Sequence, residues 1–239
     1  MIKNFLSLRE EEIFKTIKEL KECDFVIIGG YAVNTYTLPR FSVDCDIVIK
    51  NEIALEKIEK ILLRSDYKKV KLPKEAQYSG SFLRYEKKLD KNFAVSMDIL
   101  ISVVKDRMTG VIFSAGWIFE NSSIKTLKGK TISEEIKVRI INIDALLVMK
   151  IISCRTTDIR DIFMIFPNAK NKEWIKSEVQ KRYDLKERMA KIIEKISAKQ
   201  FKDGLSGVYG YFDQKVFEKH KKSIEVFNHS KLEQDKNKQ

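Results

Sequence analysis

The chain has 239 residues, 44% hydrophobic and 33% charged, which is enough for one large domain or two small ones around a buried core. No run of roughly 18 apolar residues exists, and the first six residues lead straight into Arg9-Glu10-Glu11-Glu12, so neither a transmembrane helix nor a signal peptide is expected. Cys23, Cys45 and Cys154 are scattered, there is no CxxC pair, and the only histidines are His220 and His229. A disulfide scaffold, a Cys/His zinc site and a histidine general base are all disfavoured, and a reducing cytoplasm is the expected compartment. The net charge of +12 attracts polyanions: nucleic acid, nucleotides or an anionic surface. The plainer reading is a lysine-rich soluble surface.

Residues 10–22 place Ile13, Ile17 and Leu20 at helical spacing between charges, an amphipathic helix. Phe25 to Ile28 reads as a buried strand, closed by Gly29-Gly30. Ala32 to Leu38 allows two helical turns before Pro39. Over 40–49, Arg40, Ser42, Asp44 and Asp46 share one parity, and Phe41, Val43, Cys45, Ile47 and Ile49 the other. Period two predicts a strand with one polar face. A helix over Ile53–Arg64 follows, then short strands at Tyr67–Leu72 and Phe82–Glu86 and a stronger one at Phe93–Val103.

Within 105–135, two glycines and Ser122-Ser123 break up the apolar segments Val111-Ile112-Phe113 and Trp117-Ile118-Phe119. Val138–Ile141 predicts a strand, and helices follow from Asp144 and from Thr156 or Thr157 to Phe166-Pro167. A long helical pattern covers Lys172 to Lys199. Gly204, Gly207 and Gly210 read as a loop, and Phe212–Phe227 as a last helix. The expected organisation is a mixed α/β domain over 1–139, an all-helical region over 140–227, and a polar, disordered tail over 228–239.

The chemistry concentrates at the first glycines. Residues i and i+2 of a strand point to one side with Cα atoms about 6–7 Å apart, so Asp44 and Asp46 can gather their carboxylates around hard cations. Two such ions about 3.5–4 Å apart stabilise the entering and leaving oxygens of a phosphoryl or nucleotidyl transfer. Asp98, inside the apolar run Ala94–Ile101, is the candidate third carboxylate, since a charge there is costly unless paired or metal-bound. Gly29-Gly30 lets backbone approach a triphosphate, and the following helix start offers free N–H groups. Arg40 and Ser42 share the parity of the acids and can touch phosphates. Each feature alone has a plainer reading: a tight turn, an exposed strand edge, a satisfied buried acid. Their conjunction in this order is what points to chemistry.

The pattern hGG…RxSxDxD…hDh resembles the nucleotidyltransferase fold of the DNA polymerase beta superfamily. Arg40-x-Ser42-x-Asp44-x-Asp46 and the segment Asp144 to Asp161 are most similar to the group that includes the AbiE-type toxin nucleotidyltransferases. The similarity spans roughly 20–166, with Ser42 in place of the commoner Thr and Thr157 where that group has Lys. It implies transfer of a nucleoside monophosphate from an NTP to an acceptor hydroxyl, with Mg2+ or Mn2+ as cofactor. By that resemblance Asp44, Asp46 and Asp98 bind the metals, Asp98 also activates the acceptor, Gly29, Gly30 and Ser42 hold the triphosphate, and Lys150 neutralises it. Lys150 is otherwise a lysine beside a core stripe, Arg155 a helix-end charge, and the 172–199 helix either a solvated face or an RNA track. The expected partners are an NTP, RNA (tRNA foremost) and a cognate antitoxin, with no membrane. A small-molecule or protein hydroxyl, or a non-catalytic toxin–antitoxin module, are the alternatives.

Overall fold

The computed structural model describes residues 5–71, 82–91 and 93–229. The chain forms two compact units: Met1–Lys105 with Ile112–Asn142, and Asp106–Val111 with Ile143–Gln239. As expected, the first is mixed α/β and the second helical. The first contains α1 (Phe5–Glu19), β1 (Val26–Ile27), α2 (Gly29–Asn34), β2 (Asp44–Ile49), α3 (Glu52–Arg64), β3 (Lys68–Lys69), β4 (Phe82–Asp90) and β5 (Phe93–Ile101). It continues with β6 (Val103–Lys105), β7 (Ile112–Ser114), α4 (Ala115–Glu120), β8 (Ser122–Leu127) and β9 (Ile136–Ile141). Seven strands form one sheet in the order β3-β4-β5-β2-β1-β9-β8, and β6 pairs with β7 apart from it. The β2/β5 and β1/β9 pairs are parallel and the other pairs antiparallel.

Alternation works as expected in β2: Cys45, Ile47 and Ile49 are fully buried on one face, while Asp44 and Asp46 stay partly accessible on the other. Asn51 caps α3 by accepting from the Ala54 N–H at 3.0 Å, and Leu55, Ile58 and Leu62 turn into the core. Several boundaries differ from the sequence expectation. The strand predicted from Arg40 starts only at Asp44, and the helix predicted from Ala32 starts at Gly29. The Phe93–Val103 run breaks at Ser102, whose φ of 63° turns the chain and whose hydroxyl donates to the Lys50 carbonyl. The Tyr67–Leu72 strand reduces to Lys68–Lys69, with Leu72 outside the described residues.

A buried carboxylate fastens the β8–β9 connection to α1. Glu10, 1% exposed, accepts from the Lys130 N–H at 2.6 Å, the Thr131 N–H at 2.7 Å and the Thr131 hydroxyl at 2.6 Å. Removing the acceptor strands two backbone donors, and a buried unsatisfied donor costs roughly 1–3 kcal/mol. Glu10→Ala is therefore expected to lower unfolding free energy by about 2–3 kcal/mol, read by urea denaturation followed by circular dichroism.

The second unit comprises α5 (Ile143–Ser153), α6 (Thr156–Ile165), a 3-10 turn (Phe166–Asn168), α7 (Lys172–Gln180), α8 (Leu185–Ser197), α9 (Lys199–Tyr209) and α10 (Gln214–His229). Helix α5 is apolar nearly all round, with Leu146, Leu147, Val148, Ile151 and Ile152 buried, so it lies at the centre of its unit. Rings of Phe163, Phe201, Phe212 and Phe217 gather with His220, whose Nδ1 lies 3.0 Å from the Phe163 carbonyl. Burial holds that imidazole below its ordinary pKa.

The single helix expected over 172–199 is two, because Asp184 accepts from the Lys186 and Glu187 N–H groups and starts α8 afresh. The glycine loop expected at 204–210 is a correction: Gly204 and Gly207 lie within α9, and only Gly210, at φ 87°, ends the helix. The last helix runs to His229, and the rest of the expected disordered tail lies outside the described residues.

Candidate active site

Register builds the site. Val26 pairs with Val48 and Ile27 with Ile47, and the Ile28 N–H donates to the Asp46 carbonyl at 3.0 Å. The chain therefore leaves β1 beside Asp46. Gly29 sits there at φ 64°, and a Cβ on it would collide with the Asp46 carboxylate. A Cβ on Gly30 would collide with the Ser42 hydroxyl and come within 3.5 Å of Arg40 Nη2. The two glycines open α2, whose first-turn N–H groups have no partner within the helix.

The loop after α2 is held by one side chain. Asn34 donates from its amide to the Arg40 carbonyl at 2.8 Å and accepts from the Arg40 N–H at 3.1 Å, as a neighbouring strand would. Arg40 and Ser42 are thereby buried, at 9% and 8% exposure, against the glycines. The parity that placed Arg40 and Ser42 with the acids gives the correct neighbourhood, although that segment is loop rather than strand.

Across the sheet, Asp46 pairs with Asp98 on β5, and Asp98 with Arg84 on β4. One step along, Asp44 pairs with Ser96 and Ser96 with Glu86. Adjacent strands lie about 4.8 Å apart, so Asp44, Asp46, Asp98, Arg84 and Glu86 form one polar patch on a single face. The next row, Val48, Leu100 and Phe82, is apolar and bounds it.

Arg84 was not a candidate from sequence. It donates from Nε to Asp98 Oδ1 and from Nη2 to Asp98 Oδ2, both at 2.7 Å, and Nη2 lies 3.5 Å from Asp44 Oδ2. Its place opposite Asp98 depends on an irregularity in the hairpin. Asp90 pairs with Phe93 at the hairpin, so a plain count back would set Tyr85 opposite Asp98, and the register shift between Lys88 and Asp90 brings Arg84 there instead. Burial pushes the Asp98 carboxyl above its ordinary range, and the bonds and charge of Arg84 hold back part of that rise. Cys45 points away from the patch; burial raises its thiol far above the usual range, so it takes no part as a thiolate.

The donors present are hard carboxylate oxygens, and Asp44 and Asp98 already share one cation, the Arg84 guanidinium. That chemistry fits a hard divalent ion. Among the described residues, no three His, Cys, Asp or Glu side chains are arranged as a ready-made metal cage.

Lys150 belongs to the second unit. Its ammonium is buried, 2.9 Å from both Asp158 Oδ1 and Asp161 Oδ2. Arg155 completes the cluster, donating from Nε to Asp158 Oδ2 at 2.7 Å and from its backbone N–H at 3.2 Å. The expected helix-end charge is thus part of the α6 capping box.

No protein-family profile and no curated protein matches the chain. Solved structures do. The chain is similar to JHP933 from Helicobacter pylori at 15% identity and a TM-score of 0.48, covering 95% of this chain and 94% of that one. It is similar to ANT(2'')-Ia, solved in complex with adenylyl-2''-tobramycin, at 12% identity and a TM-score of 0.48, covering 73% and 96%. A third is the lincosamide antibiotic adenylyltransferase LnuA, lincomycin-bound, at 22% identity and a TM-score of 0.37, covering 58% and 84%. Among the described residues no helix is long and apolar enough to cross a membrane.

Proposed function

We propose that the chain is a nucleotidyltransferase that moves a nucleoside monophosphate from an NTP to an acceptor hydroxyl. The observation that carries this reading is the convergence of bare glycine backbone, the Ser42 hydroxyl and three carboxylates at one end of one sheet. Gly29, Gly30, Ser42 and Arg40 bind the triphosphate through N–H, hydroxyl and guanidinium donors. Asp44 and Asp46, with Asp98 as third carboxylate, would hold Mg2+ or Mn2+. Bound there, the ion neutralises phosphate charge and polarises the transferring phosphoryl group. Asp98 faces the acceptor side and orients its hydroxyl. We assign Lys150 to the internal support of the second unit rather than to phosphate.

For the acceptor we propose RNA, tRNA foremost, since the net charge of +12 favours a polyanion. The Arg40-x-Ser42-x-Asp44-x-Asp46 pattern further supports a toxin–antitoxin setting with a cognate antitoxin as protein partner and a cytoplasmic location. The test is incubation of the full chain with each labelled NTP, Mg2+ and total RNA. Label on an RNA band from at least one NTP is expected. Label on protein or on a small hydroxylated compound instead would move the acceptor, and no transfer from any NTP would sink the reading.

The glycines give a sharper test. Gly29→Ala adds both a left-handed strain of about 1–3 kcal/mol and a collision with the Asp46 carboxylate. Gly110 also has positive φ, 74°, but a Cβ there meets nothing within 4 Å. Gly29→Ala is expected to lower kcat/KM for the NTP roughly 100-fold, against little change for Gly110→Ala at a similar cost in strain.

A further inference from the structure

Four carboxylates crowd this polar face: Asp44, Asp46, Asp98 and Glu86. Asp46 and Asp98 are direct neighbours on parallel strands, a placement that repels when both are ionised. Arg84 is drawn into the cluster from the strand on the far side of Asp98. It holds both oxygens of Asp98 and reaches Asp44, so it spans two of the three carboxylates assigned above to the metal. Asp98 is 6% exposed along its side chain and Arg84 31%, so the pair is sheltered while the guanidinium keeps an open side.

We infer that Arg84 is a resident counter-cation that competes with divalent ions for Asp98 and Asp44. In the metal-free site it holds the carboxylates together; when an ion takes those oxygens, the guanidinium must give them up. The protein consequently binds free metal weakly. The incoming triphosphate brings its own negative charge and offers Arg84 a new bidentate partner, so metal and nucleotide bind with positive coupling. Arg84 is in this sense a positioning residue that ties metal loading to nucleotide arrival. The inference rests on the metal-dependent reading of the site.

The test is Mn2+ binding to the full chain without nucleotide, read by the electron paramagnetic resonance signal of free Mn2+. Wild type, Arg84→Gln, Arg84→Lys and Asp46→Asn are compared. Arg84→Gln is expected to bind Mn2+ at least about tenfold tighter than wild type, and Arg84→Lys, which keeps the charge, to stay within about threefold of it. Adding ATP should tighten Mn2+ binding in wild type and much less in Arg84→Gln. Should Arg84→Gln lose stability, its melting temperature should rise with added Mn2+ by more than that of wild type. Equal or weaker Mn2+ affinity in Arg84→Gln, with binding still lost in Asp46→Asn, overturns the role of Arg84 and leaves the metal site standing. Absence of Mn2+ binding to every variant, with and without ATP, overturns both.

Discussion

Asp46→Asn is expected to reduce nucleotidyl transfer by about 10^3-fold or more with the fold intact. The amide keeps the shape of the carboxylate and loses its charge, so packing against Gly29 persists while the oxygen donor weakens. A metal ligand at a phosphoryl-transfer site stabilises developing charge by several kcal/mol; about 4 kcal/mol corresponds to roughly 10^3 in rate. Far-UV circular dichroism should be unchanged, because the amide is isosteric with the carboxylate it replaces on β2. Asp44→Asn should act in the same direction, since its carboxylate faces the same patch. The double variant should be barely worse than either single one, because residues acting as a unit do not add. Full activity in Asp46→Asn would remove the carboxylates from the chemistry and leave the glycine cradle as a binding site alone.

The part of the site legible in sequence is the part fixed by chain-local rules. Period-two alternation in β2 put Asp44 and Asp46 on one face and Cys45 in the core. The bare pair Gly29-Gly30 after an apolar run placed backbone beside them. Long-range pairing was legible only as far as charge economics reached. Asp98 stands out because an acid inside an apolar strand needs pairing or a metal, and the structure pairs it with Arg84. An arginine among lysines on a strand carries no such signal, and the register shift between Lys88 and Asp90 that brings it opposite Asp98 is not legible in the chain.

The partners of Lys150 lie beyond the same reach: the i+8 and i+11 aspartates that hold its ammonium are on the next helix, outside any periodic rule. The glycines of 204–210 were misread because glycine signals a turn on average. Gly204 and Gly207 instead sit on an exposed side of α9, where neither a close approach nor a positive φ demands them and the helix tolerates the cost.

Lys150→Met is expected to be the most destabilising single change in the second unit. The side chains of Lys150, Asp158 and Asp161 are 9%, 3% and 1% exposed, so the cluster is dry. Breaking a buried ion pair by removing one partner costs about 3–5 kcal/mol, because two buried carboxylates lose the ammonium they share. For a chain of this size the shift is roughly 10 °C in melting temperature. Methionine keeps the length of the stem, so a cavity contributes little, and adding Asp161→Asn should recover part of the loss by removing one of the two carboxylates that shared the ammonium.

The pH dependence separates this role from phosphate binding. Burial opposes ionisation of Asp158, but Lys150 and Arg155 outweigh it and hold its carboxyl below the ordinary value. A depressed folded pKa contributes stability above the unfolded value near 3.9, lost as pH falls through the folded one. Wild type should therefore hold this contribution from neutral pH down to about 4 and lose it only below. In Lys150→Met the Asp158 carboxyl loses the larger of the two charges that hold it down, so burial pushes it up relative to wild type. The gap in unfolding free energy between variant and wild type should narrow as pH is lowered from 7.5 to 4.5, measured by urea denaturation at each pH. A phosphate-binding lysine would give the opposite pattern: an unchanged melting temperature at every pH, and a loss confined to the KM for NTP.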